Sequence, residues 1–94
     1  MLKIAEYNTI TDEKVELKEL EKYGFEFDRT LNKYTKVIAY PFFFRDIDVY
    51  IDNPNFQHRE IKAYSSIVND IVKEDWIENN IQDLIKDGLV IKEN

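Results

Sequence analysis

A chain of 94 residues is expected to form one domain spanning 1–94, since it is too short for two ordinary ones. Hydrophobic residues at 44 % and charged residues at 34 % fit a globular domain with a well-solvated surface, and 14 % aromatics give a small core large rings to bury. There is no cysteine, which excludes disulfides, thiolate nucleophiles, Cys-ligated zinc and iron–sulfur clusters. A chain this short without staples points to a cytoplasmic location. The first residues, Met1–Tyr7, lack a signal-peptide pattern, and no run approaches the ~18 apolar residues of a membrane span, so no membrane contact is expected.

The net charge of −6 is unevenly spread. Residues 1–28 carry eight acids against four lysines, and residues 63–94 carry seven acids against three lysines. Residues 29–62 carry six bases against four acids, so two acidic ends flank a mildly basic centre. Such ends repel a phosphate backbone at long range, which makes nucleic acid an unfavoured partner.

In chain order, Leu2–Tyr7 reads as a short strand. Thr11 or Asp12 then offers an N-cap, and Val15, Leu17, Leu20 and Tyr23 form a narrow apolar stripe, so a helix is expected over 12–22 with Gly24 as its stop. Phe25 and Phe27 alternate with acids, Thr30–Lys33 supplies a turn, and Tyr34–Tyr40 is β-branched and aromatic; 25–40 therefore reads as a hairpin. Pro41 marks an edge or bend. Arg45–Asp52 alternates cleanly, with Asp46, Asp48, Tyr50 and Asp52 expected on a solvated face and Ile47, Val49 and Ile51 facing inward. Asp52–Asn55 is a turn, and Gln57–Tyr64 reads as the returning strand.

Ile67, Val68, Ile71 and Val72 predict a short helical segment over 66–73. Ile77, Ile81, Leu84 and Ile85 predict a second helix over 75–86, with Gly88 beyond it and Leu89–Ile91 as a closing strand. Leu20–Phe27 and Leu84–Ile91 repeat the order helix, lysine, glycine, strand, as two uses of one capping device. The expected fold is α+β: a small antiparallel sheet of four to six strands with two or three helices packed on one face, in the order β-α-β-β-β-β-α-β.

Five groups of residues have functional potential. Asp46, Asp48 and Asp52 share a strand face on which carboxylates could hold Mg²⁺ or Ca²⁺. The segment is not an EF-hand loop, because the central glycine is missing and Gln57 stands where a bidentate Glu belongs. Asp48 followed on the next strand by Glu60-Ile61-Lys62 resembles the arrangement of the PD-(D/E)xK nucleases. That resemblance implies metal-holding carboxylates and a lysine steadying the attacking water. It covers those three residues alone, and no proline precedes the aspartate. His58 is the only histidine; neither Ser65 nor Ser66 has nucleophile-elbow glycines around it, so neither a triad nor a zinc site is expected.

Phe42, Phe43 and Phe44 in one strand must point to both faces; one face enters the core, and the other either lies under a helix or stays exposed as a partner or dimer surface. Finally, Asp70, Glu74, Asp75, Glu78, Asp83 and Asp87, with Glu13, Glu16, Glu19 and Glu21, make an acidic surface able to imitate a phosphate track.

The function these residues favour is a non-catalytic protein-interaction domain. Its partner surface is expected to include Asp70, Glu74, Asp75, Glu78, Phe42 and Phe44, facing a protein with a basic surface, without catalytic residues, metal or cofactor. Homodimerisation is compatible with the same patch. The richness in Ile, Lys, Asn, Tyr and Phe fits an AT-rich coding sequence of the phage or mobile-element kind, and so an inhibitor of a nucleic-acid-binding host protein. The alternatives are a metal-dependent nuclease-like enzyme using Asp48, Glu60 and Lys62, and a nucleic-acid-binding accessory module. A winged helix is disfavoured, because the chain ends before a wing and the preceding helix is acidic.

Overall fold

The computed structural model describes residues 1–93. The chain runs through β1 (Leu2–Ile4), a 3-10 helix (Leu17–Tyr23), β2 (Glu26–Asp28), β3 (Lys33–Ala39), β4 (Phe44–Tyr50), β5 (Ile61–Ser65), α1 (Glu74–Asn80), α2 (Gln82–Lys86) and β6 (Val90–Lys92). Four strands make an antiparallel sheet in the order β2-β3-β4-β5, and β1 pairs antiparallel with β6 in a second, two-stranded sheet. A single bridge between Lys3 and Glu60, with the Ile4 amide donating to the Arg59 carbonyl at 2.8 Å, joins the two sheets. This is the expected α+β arrangement. The helices contribute Leu20, Ile77, Ile81 and Leu84 to a core shared with Tyr34, Ile47, Val49 and Ile61 of the sheet.

Period-two alternation assigns the sheet faces. Tyr34, Ile38, Ile47, Val49, Ile61 and Ala63 face the helices, while Lys33, Thr35, Val37, Phe44, Asp46, Asp48, Tyr50, Lys62 and Tyr64 face outward, as the register pairs show.

Several expected elements differ. The returning strand over 57–64 begins only at Ile61, because Arg59 turns left-handed at φ 66°, and of Phe42, Phe43 and Phe44 only Phe44 lies in a strand, after the bend at Pro41 and Phe42. The helix over 12–22 is reduced to the 3-10 helix Leu17–Tyr23, and the offered caps are not used: Asp12 is left-handed at φ 61°. Tertiary bonds explain the change. Tyr7 bridges Lys14, the Val15 amide donates to the Glu6 carbonyl at 2.8 Å, and the Val15 carbonyl accepts from Arg59 at 2.9 Å, so 14–15 stay extended. The 3-10 helix starts instead where the Glu19 carboxylate accepts from the Glu16 amide at 2.9 Å.

The segment 66–73 is not helical. Val68 and Ile71 are 84 % and 80 % exposed, Asn69 is left-handed, and of its four apolar residues only Val72 packs against the core. The helix over 75–86 is two helices broken at the wholly buried Ile81, whose φ of −129° leaves the helical region. Its stripe holds at Ile77, Ile81 and Leu84, whereas Ile85 reaches the surface.

Both glycine stops are as expected, and they share one geometry. Gly24 and Gly88 have φ of 89° and 83°. Gly24 donates to the Glu21 carbonyl at 3.4 Å and Phe25 to Leu20 at 3.2 Å; Gly88 donates to Ile85 at 3.2 Å and Leu89 to Leu84 at 3.0 Å. This is the Schellman pattern twice over, and in each case the two hydrophobic residues that it joins are buried in the core. The residues before the glycines are also joined: Tyr23 donates its hydroxyl to Asp87 at 2.7 Å, and that bond, ahead of burial, pushes the phenol pKa up to about 12.

The glycines differ in what lies beside them. A Cβ on Gly24 would meet only the flexible end of Lys36 at 3.4 Å, whereas one on Gly88 would collide with Asn8 Oδ1 and lie 3.1 Å from the Ile10 amide. Asn8 is fixed there, because its side-chain oxygen accepts from the Ile10 and Thr11 amides while its Nδ2 donates to the Asp87 carbonyl. Gly24→Ala is expected to cost about 1–2 kcal/mol through its left-handed φ, and Gly88→Ala clearly more. Urea denaturation midpoints of the two variants check the order.

Candidate functional site

Outward-facing residues of β3, β4 and β5 converge on Asp48. Its carboxylate, 1 % exposed as a residue, accepts from Lys33 Nζ at 3.0 Å, and Lys33 is itself only 7 % exposed. The solvated face expected for this aspartate is therefore corrected: Asp48 lies in a buried ion pair. The register brings this about by placing both Lys33 and Asp48 on the outer face, with Tyr50 opposite Lys33. Burial alone would lower the Lys33 pKa, but the hydrogen bond and attraction to Asp48 outweigh it and leave it raised.

The loop after β4 folds Phe56 back over this face. Its ring stacks on Tyr50 with centroids 4.4 Å apart and meets Tyr64 edge-on at 6.4 Å, while Lys62 Nζ sits 5.6 Å from its centroid. Three oxygens on the same face, Thr35 Oγ1, Asp46 Oδ1 and Asp48 Oδ1, are buried without a hydrogen-bond partner. Two aspartates thus share one lysine. Burial, reinforced by the Asp48 charge and only partly offset by Lys33, raises the Asp46 pKa.

The three residues of the nuclease-like arrangement do share this face. Asp48 is directly opposite Lys62, and Lys62 Nζ lies 3.6 Å from Glu60 Oε1. Their chemistry is otherwise engaged. Asp48 is neutralised by Lys33, and Glu60 Oε2 accepts from the Gln57 amide at 3.0 Å. Among the described residues, no group of three acids or histidines has metal-holding geometry. His58 is exposed and accepts from Arg59 Nε at 3.4 Å; Ser65 and Ser66 accept from the Ile67 and Phe44 amides.

The residues expected to meet a partner fall into two groups. Phe42, in the bend between β3 and β4, is 97 % exposed, and Phe44 is 46 % exposed. Phe43 turns the other way, stacking on Tyr40 at 4.5 Å. Arg45 then lies between the Phe43 and Trp76 rings, 5.6 and 5.0 Å from their centroids, and grips Asp70 with both nitrogens at 2.8–3.0 Å. Those bonds from Arg45, with a further one from Ser65, hold Asp70 below the usual carboxylate range.

Three of the four expected acidic contacts are thus paired within the chain: Asp70 with Arg45, Glu74 with the terminal ammonium at 3.4 Å, and Glu78 with Lys92 at 3.0 Å. Asp75 has no ion pair among the described residues.

Lys33 and Arg59 escaped the sequence reading. Lys33 was assigned to a turn, though counting the β3–β4 register back from the alternating strand would place it beside Asp48. Arg59, in the expected β5, instead adopts φ 66° and is 92 % buried (8 % exposed), with Nη1 donating to the Ala5 and Val15 carbonyls at 3.1 and 2.9 Å. Comparison with family models, curated proteins and solved structures gives no match to this chain.

The raised Asp46 pKa has a definite sign. The folded state binds this proton more tightly than the unfolded chain, so ionised Asp46 opposes folding at neutral pH, and that penalty fades as pH falls through the raised pKa. Asp46→Asn is expected to raise the urea midpoint at pH 7, with the gain over the parent shrinking on acidification. Denaturation curves of both proteins between pH 3 and 7, roughly the span over which a raised carboxyl titrates, check this.

Proposed function

We propose that the chain is a non-catalytic interaction domain that docks on a basic protein surface through the sheet end carrying Phe42 and Phe44. The carrying observation is Phe42 itself, whose ring at 97 % exposure is the most exposed of the aromatic residues described. Beside it on the outer face stand Val37 at 58 %, Phe44 at 46 % and Tyr64 at 43 % exposure, and Val68 is exposed in the loop after β5. Exposed apolar surface gathered in this way marks a place for a partner, and aromatic residues are the common energetic anchors of such interfaces.

Charge indicates what kind of partner. On the outer face Glu26, Asp28, Asp46, Asp48 and Glu60 outnumber Lys33 and Lys62, and the whole chain carries −6. That field steers a basic surface toward the aromatic end. Asp70, Glu74 and Glu78 contribute to the field while paired, and Asp75 offers a carboxylate without an ion pair among the described residues. The finer reading is an inhibitor of the phage or mobile-element type whose basic partner is a nucleic-acid-binding protein. In that case binding competes with DNA or RNA for the partner's groove.

The test is capture from a lysate of the host cell, followed by calorimetry of the purified captured protein. Phe42→Ala and Phe44→Ser are expected to weaken binding roughly thirtyfold, about 2 kcal/mol for a hot-spot ring. Phe42→Ala should leave the urea midpoint within about 0.5 kcal/mol of the parent. Affinity should also fall as salt rises. Binding indifferent to salt and to both variants contradicts the reading.

A further inference from the structure

We propose that Arg59 forms a binding site for a small oxyanion group, in the clefts that it shares with His58, Lys14 and Lys3. The observation is an uncompensated buried cation. Two cations in this chain are less than 10 % exposed: Lys33 at 7 % and Arg59 at 8 %. Lys33 has Asp48 at 3.0 Å. Arg59 has no carboxylate partner among the described residues. Its hydrogen bonds go to the neutral carbonyls of Ala5 and Val15 and to a ring nitrogen of His58. Those acceptors orient the guanidinium without neutralising it, and a charge held out of water gains strongly from an opposite charge.

Nη2, the remaining nitrogen of the group, makes no hydrogen bond among the described residues. Arg59 and His58 line two clefts of about 260 and 320 Å³, one also walled by Lys3, which pairs with Glu93 of the same cleft at 3.6 Å, and the other by Lys14, which pairs with Glu16 at 3.8 Å. Each is several times the ~30 Å³ that one water occupies in the liquid. Arg59 is held rigidly, with its backbone at φ 66°, its carbonyl bound by the Ile4 amide and its Nη1 bound twice. A pre-organised cationic nitrogen with two uncommitted N–H groups suits an oxygen of a phosphate or carboxylate group.

Glu6 also lines both clefts and has no ion pair among the described residues. It is the internal competitor for the bound anion. The site is independent of the aromatic docking end.

The experiment is a titration of the protein with inorganic phosphate at constant ionic strength, followed by NMR at the Arg59 Nε–H and the His58 ring, with acetate as a parallel arm. Saturable shifts at those groups are expected; tighter phosphate than acetate identifies a phosphate site, and the reverse a carboxylate site. Arg59→Lys should weaken binding about tenfold or more through loss of charge-assisted bonds. Because that variant also loses contacts to Ala5 and Val15, two surface variants accompany it: Lys14→Glu is expected to weaken binding and Glu6→Gln to tighten it. The absence of saturable shifts, or affinities unchanged in both surface variants, overturns the proposal.

Discussion

The guanidinium of Arg59 is the constraint on which the arrangement of this chain depends. It lies where three parts of the structure meet. Its carbonyl receives the Ile4 amide at the end of β1, and its side chain holds the Ala5 and Val15 carbonyls from within. Through these bonds the two-stranded sheet is fastened to the start of β5, and the segment before the 3-10 helix is drawn out of helical geometry. Buried carbonyls need donors, and one side chain supplies two of them. The left-handed backbone at Arg59 is the strain accepted for that placement.

A second set of restraints acts at the helix ends. The glycine stops after the 3-10 helix and after α2 use the same pair of hydrogen bonds, and Tyr23 and Asp87 tie them together. At the far end of the sheet, Arg45 is held by Asp70 and two aromatic rings, with the Trp76 Nε1 donating to Tyr40 at 3.0 Å. These polar braces leave Phe42 with nothing inside the molecule to pack on. The outer face then combines an ion pair sealed among aromatic side chains with an open apolar end. This division separates a packed part from an exposed apolar part on a single sheet face.

What could be read from the residues follows from whether their partners are local. The caps at Gly24 and Gly88 depend on a few neighbouring residues, and the alternation of β4 on its own side chains, so both were legible. The helix over 12–22 was not, because Val15 answers to Glu6 and Arg59, nine and forty-four residues away in sequence. The apolar stripe at 66–73 had the spacing of a helix, but Asp70 is taken by Arg45 and the segment follows that bond. Asp48 looked like a solvated acid because the cation nearest in sequence, Arg45, falls on the other sheet face; its partner sits across the hairpin. For the candidate site, the sequence marked Phe42 and Phe44 as candidates but left open whether a helix covers them; Phe42 is exposed because it falls in the bend before β4, and three of the four acids are paired within the chain.

The role of Arg59 is tested most directly by amide hydrogen exchange in Arg59→Met, which keeps the aliphatic stem and removes the charge and both carbonyl contacts. The account predicts that the Ile4 and Val15 amides lose protection while Ile47, central in the four-stranded sheet, keeps more of its own, and that global stability falls by about 3 kcal/mol as two buried carbonyls lose their donor. Unchanged protection at Ile4 and Val15, with stability equal to the parent, would contradict it.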